Sequence, residues 1–190
     1  MNWKEFKLIV RADLFRYGRG YGGKPFFIAY FKDIGYRYTF WWRFAEFASS
    51  KFYLRLSIYP VVKFAHRRMS HKYGISIPIG TEIGAGFYIG HFGNIVVSGD
   101  AKIGKNCNIS QGVTIGQANR GRFKGVPTIG DRVYMAAGSK IVGKIIVGDD
   151  CLIAANTLVS RSVDEYSVCL GVPADIVSNE GSRGYVDFIS

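Results

Sequence analysis

The 190-residue chain is poor in cysteine, histidine and proline, with three, three and five of them. Cys107, Cys151 and Cys169 form no CxxC pair, and the scattered histidines offer no ligand spacing. A disulfide framework is therefore excluded as the organising device, and no metal is expected. No apolar run approaches the ~20 residues that span a bilayer. The longest short runs, Pro25–Phe31 and Thr39–Trp42, are aromatic and soon interrupted by charge. The start lacks a signal peptide's charged, apolar and small-residue order, so the chain reads as cytoplasmic. A pI near 9.7 invites nucleic acid, but no nucleic-acid-binding motif is present and no such partner is expected.

Acid is scarce in one part only. Residues 1–73 hold 15 Lys/Arg against 4 Asp/Glu, whereas residues 74–190 hold 10 of each. Of the 29 aromatics, 21 lie in the first 73 residues. These shifts divide the chain into a basic, aromatic-rich helical module (1–73), a repeat domain (74–177) and a C-terminal tail (178–190). In the first module residues 2–16 and 36–68 read as helical, separated by a Gly/Pro-rich break at Gly18–Pro25. Pro60 marks a kink or a new helix start. Apolar residues at 40, 41, 44, 47 and 48 share one helical face. Two uses suit such a module: its own core and subunit contacts, or a surface resting on anionic lipid at the inner face of the membrane.

From Ile77 to Val159 an aliphatic residue or Met recurs every six positions. The series runs Ile77, Ile83, Ile89, Ile95, then after a two-residue slip Val97, Ile103, Ile109, Ile115. After an interruption it resumes as Ile129, Met135, Ile141, Val147, Ile153, Val159. Gly or Ala often follows, and a small or β-branched residue often sits four places on, Cys107 and Cys151 among them. A six-residue period fits neither an amphipathic helix nor an alternating strand. It predicts a hexapeptide parallel β-helix with aliphatic ladders down its interior, so those cysteines point inward as buried thiols.

Chemistry on such a coil belongs where the regularity breaks. One break is the slip at residues 90–97, which holds His91, the single histidine of the repeat domain. Imidazole suits general-base work because it ordinarily titrates at ~6.5. The plain alternative is a surface histidine on a coil corner. The second break, residues 117–127, carries Arg120, Arg122, Lys124 and two glycines, which suits a flap near phosphate groups.

The stretch Ile83 to Val97, followed by Asn106-Cys107-Asn108-Ile109-Ser110-Gln111-Gly112-Val113-Thr114-Ile115-Gly116, then Pro127-Thr128-Ile129-Gly130 and Gly171-Val172-Pro173-Ala174, resembles the serine O-acetyltransferase branch of the hexapeptide acyltransferases. The resemblance implies a left-handed parallel β-helix, a homotrimer, and acetyl-CoA held between neighbouring coils. It places His91 as the base that deprotonates an acceptor hydroxyl, with coenzyme A leaving directly. Gly116, Ala137 and Ala155 match backbone positions that contact the coenzyme, and Arg161 a basic position near its phosphates. Gly90, Asn94, Arg120 and Arg122 fall to the acceptor side.

Four positions depart from that family. Gly90 stands where an Asp grips serine, and Val126 where a second His helps hold it. Ser76 replaces the Asp that orients the catalytic imidazole, and Asp175 stands at a position that is commonly basic. Unpaired ammonium or carboxylate groups in a desolvated site cost several kcal/mol, whereas a neutral sugar hydroxyl needs no charged partner. The leading expectation is therefore an acetyl-CoA-dependent O-acetyltransferase acting on a sugar of a surface-polysaccharide precursor. The helical module also looks more like that of sugar-acetylating relatives. The rivals are serine O-acetylation and a non-catalytic β-helix scaffold. The ending Phe188-Ile189-Ser190 is a poor match to the C-terminal Ile by which the family docks cysteine synthase.

Overall fold

The computed structural model describes residues 1–18, 20 and 22–189, so part of the expected Gly18–Pro25 break and the last residue of the tail, Ser190, lie outside the described residues. The N-terminal module forms helices α1 (Trp3–Phe15), α2 (Gly23–Lys32), α3 (Ile34–Ser49), α4 (Phe52–Ser57) and α5 (Tyr59–Tyr73). Asn2 and Glu5 close a capping box at the start of α1, the Glu5 amide donating to Asn2 Oδ1 at 2.9 Å and the Asn2 amide to Glu5 Oε2 at 2.8 Å. Helix α2 was not expected. It begins inside the predicted break because Pro25 falls in its first turn, where a missing N–H is tolerated. Pro60 likewise opens a new helix rather than kinking one, and that helix runs on to Tyr73.

The shared face of α3 packs on α1 and α2. Phe47 stacks on Phe6 at 5.0 Å between ring centroids, and Phe40 meets Phe26 edge-on at 5.3 Å. The opposite face is also buried. Tyr38 and Trp42 enter the core of the repeat domain, where Trp42 Nε1 donates to the Pro78 carbonyl at 3.0 Å. Helix α3 thus closes the first coil.

The repeat domain winds through three faces. One holds β1 (Ile75–Ser76), β4 (Ile95–Val97), β7 (Thr114–Gly116), β10 (Lys140–Val142) and β13 (Leu158–Val159). The second holds β2 (Glu82–Ile83), β5 (Lys102–Ile103), β8 (Thr128–Ile129) and β11 (Ile146–Val147). The third holds β3 (Tyr88–Ile89), β6 (Asn108–Ile109), β9 (Tyr134–Met135), β12 (Leu152–Ile153), β14 (Val168–Leu170) and β15 (Asp175–Ser178). Every pairing is parallel except that of β14 with β15.

Register follows the hexapeptides. Ile129 pairs with Val147, Met135 with Ile153 and Ile141 with Val159, each three hexapeptides apart. Ile83–Ile103 and Ile89–Ile109 are two residues longer, which is the slip. Ile103–Ile129 and Ile115–Ile141 are longer again by the 117–127 excursion. All residues of the six-residue series are buried, as are Cys107, Cys151 and Cys169, which are free thiols. The chain passes from the six-stranded to the five-stranded face after β3, β6, β9 and β12, and from the five- to the four-stranded face after β4, β7 and β10. Those two corners carry the candidate chemistry. Among the described residues no helix is long and apolar enough to cross a membrane.

Candidate active site

His91 stands exposed at the corner after β3. The Gly90 amide, donating to the Ile109 carbonyl at 3.2 Å, ties this corner to the coil above. Phe92 packs edge-on against Tyr73 at 5.8 Å, so the slip is seated on the end of α5. Gly93 and Asn94 follow with positive φ, turning the chain back into β4.

Beside His91 opens a cleft of about 280 Å³, lined by Gly90, Tyr88, Asn108, Ser110 and Tyr134 from the six-stranded face. Arg16, the C-cap of α1, and Tyr185, Asp187 and Phe188 from the tail complete it. The tail folds back here because its backbone finds partners. Arg16 Nη1 donates to the Asp187 carbonyl, Arg16 Nη2 to Asn108 Oδ1, and Asn108 Nδ2 to the Tyr185 carbonyl at 3.0 Å. Tyr185 also packs on Tyr134 at 5.1 Å.

The expected site residues separate onto two corners. Ala137 and Ala155 stack on His91's corner, the Asn156 amide reaching the Ala137 carbonyl at 2.9 Å. Ala137 is half-buried and Ala155 exposed on this edge. Gly116, Arg161, Arg120 and Arg122 lie at the corner beyond the five-stranded face. A single chain does not bring these to His91.

The 117–127 excursion is a small hairpin, closed by paired 2.9 Å hydrogen bonds between Ala118 and Gly125. Phe123 O accepts from the Lys144 amide at 2.8 Å and pins the hairpin to the next coil, while Arg120 and Arg122 remain exposed. Arg161 is bound by its neighbours: Nη2 donates to the Ala174 carbonyl and to Asp175 Oδ1, both at 2.9 Å. Asp175, one of the departures, therefore offsets the charge expected to meet phosphates. Ser76 lies exposed on β1 and forms no hydrogen bond with His91 among the described residues.

Sequence reasoning missed Arg16, Asn108 and Tyr185. Arg16 is one base among many in the first module, and its contacts to Asn108 and Asp187 span 92 and 171 residues. No local pattern carries that information.

His66 is structural. It is buried, its Nε2 is 3.1 Å from Tyr38 Oη, and burial pushes its pKa down to about 4. Among the described residues no group of His, Cys, Asp or Glu is arranged to hold a metal.

A three-faced parallel coil with buried hexapeptide ladders and a corner histidine defines a hexapeptide-repeat β-helix protein. No protein-family model matches the chain. A serine acetyltransferase of Staphylococcus xylosus is 41% identical over 110 residues, 58% of this chain and 51% of that protein. The chain thus spans about half the length of the curated relatives it matches. The serine acetyltransferase of Brucella abortus strain S19 superposes with a TM-score of 0.75 at 25% identity, over 94% of this chain and 71% of that one. That of Neisseria gonorrhoeae, solved in complex with serine, gives 0.72 at 26%, over 93% and 70%. The repeat domain is a left-handed β-helix, and it is similar to the serine O-acetyltransferase-like branch of the hexapeptide-repeat acyltransferases.

Proposed function

We propose that the chain transfers an acetyl group from acetyl-CoA to an acceptor hydroxyl, with His91 as general base and L-serine as acceptor. The observation that carries this reading is the exposed His91 beside a cleft, on a β-helix 41% identical to a serine acetyltransferase. One gonococcal neighbour holds serine itself. The His91 imidazole takes the hydroxyl proton as that oxygen attacks the thioester carbonyl. The C–S bond then breaks, and the leaving thiolate takes the proton back from the imidazolium. The small side chains at Ala137 and Ala155, on His91's corner, suit contacts to the coenzyme arm. Asn94 lies on His91's own corner, whereas Gly116, Arg161, Arg120 and Arg122 keep their proposed roles only if a second copy sets its far corner beside His91. A homotrimer supplies that arrangement.

A second reading, a sugar of a lipid-linked polysaccharide precursor, is favoured by two observations. Gly90 and Val126 put no charge where serine is held. In addition, α4 and α5 expose Phe52, Tyr53, Leu56, Val61 and Phe64 on a stretch with no Asp or Glu from residue 51 to 73. That face suits anionic lipid.

Coenzyme A release from acetyl-CoA, with L-serine and neutral and acidic sugars in parallel, separates the readings. Turnover with serine supports the first, and turnover with a sugar alone supports the second. In either case His91→Ala should lose about 10²–10⁴-fold. Indifference to that change would remove His91 from the chemistry, and no turnover with any acceptor would leave a scaffold.

A further inference from the structure

Two arginines are buried among the described residues, and they are treated differently by their surroundings. Arg43 is neutralised by Asp13 at 3.0 Å. Arg16, only 4% exposed, has no carboxylate within ion-pairing distance among the described residues. Its two hydrogen-bond partners, the Asp187 carbonyl and the Asn108 carboxamide oxygen, are both neutral. Its Nε–H has no acceptor among the described residues. The Tyr88 ring, 5.9 Å from the guanidinium carbon, and the exposed Asp187 carboxylate soften the charge without pairing it. Burial lowers the pKa of Arg16, so its surroundings disfavour the cation they enclose.

A guanidinium presents five N–H donors in a planar fork that matches a carboxylate. Two of those donors carry the bonds described, and the residue lines the same cleft as His91. An unpaired buried cation is expensive to maintain, and an anionic ligand removes that cost.

We propose that Arg16 anchors the acceptor through a carboxylate, holding a hydroxyl-bearing acid in the cleft with its hydroxyl towards His91. The proposal rests on the reading of His91 as the acetyl-transfer centre. From the C-cap of α1, Arg16 also supplies a cationic partner where Val126 offers none. The carboxylate could come from a hydroxy amino acid or from an acidic sugar.

The test uses the full chain with L-serine, L-serinamide, glucuronate and glucose as acceptors. Arg16→Gln should raise KM for the carboxylate-bearing acceptor at least about tenfold, leave KM for acetyl-CoA unchanged, and remove the preference over the uncharged analogue. Arg16→Lys should recover part of that preference. Should Arg16→Gln fail to fold, Asn108→Asp places a fixed carboxylate on the guanidinium and should weaken the same acceptor. Whether serine or glucuronate responds identifies the source. Calorimetric titration of both acids into wild type and variants reads the anchor independently of turnover. Binding that weakens in Arg16→Gln while wild type and His91→Ala turn over equally supports the anchor and sinks the catalytic reading. Equal carboxylate binding in wild type and folded variants, or none in wild type, overturns the anchor.

Discussion

Arg43 Nε lies 3.0 Å from Asp13 Oδ2, and this buried pair joins the helical module to the β-helix. Arg43 Nη1 and Nη2 donate to the Ile83 and Gly84 carbonyls at 2.8 and 2.6 Å, while Asp13 Oδ1 accepts the Phe87 amide at 2.9 Å. The two charges thus satisfy backbone groups on the first coil that α1 and α3 would otherwise bury unpaired. Arg43→Met strands the Asp13 carboxylate and should lower stability by about 3–5 kcal/mol, measured by urea unfolding. The double variant Asp13→Leu/Arg43→Met should lose less than Arg43→Met alone. A loss below 1 kcal/mol in Arg43→Met would mean that the aromatic contacts, not the pair, hold the modules together.

At one corner of the coil, glycine is required by close approach. A Cβ on Gly104 would lie 2.5 Å from the Gly130 carbonyl oxygen, and one on Gly84 would lie 2.7 Å from the Gly104 oxygen. Gly104→Ala should therefore cost about 1–3 kcal/mol by forcing neighbouring coils apart. Gly23→Ala, in open space at the start of α2, is the control and should be near neutral. Equal unfolding midpoints for the two variants would contradict the stacking.

His66 makes the fold acid-sensitive. Its folded pKa of about 4 lies below the ordinary 6.5, so between those values the unfolded chain binds a proton that the native state refuses. Stability should fall as pH drops from about 6.5 to about 4, by at most about 3 kcal/mol, and this contribution should level off below. His66→Gln should flatten that part of the profile. An unchanged difference between pH 7 and pH 4.5 would show that other groups govern the acid limb.

The ladder thiols should be inert. Burial pushes Cys107 up to about 12 and Cys151 up to about 11, and the thiolate is the reactive form. Native protein at pH 8 should yield no rapidly alkylated cysteine by mass spectrometry, and denatured protein should yield three. Rapid labelling of Cys107 in native protein would mean that the coil opens locally.

The interior of the β-helix was legible from spacing alone because each ladder residue meets its counterpart one coil away, as Ile141 meets Ile115 and Val159. Even the two irregularities showed, since a slip or an excursion changes the count without moving the ladder. Pro25 obscured α2, because the same residue breaks a helix interior and begins a helix.

Periodicity in the chain by itself determined the coil, the inward cysteines and the corner position of His91, since these depend on nearest-neighbour stacking that repeats locally. The tertiary structure alone decided what surrounds that histidine. Arg16, Asn108 and the tail meet across most of the chain's length, through single hydrogen bonds that follow no period. Their pairing depends on where α3 seats the helical module against the first coil.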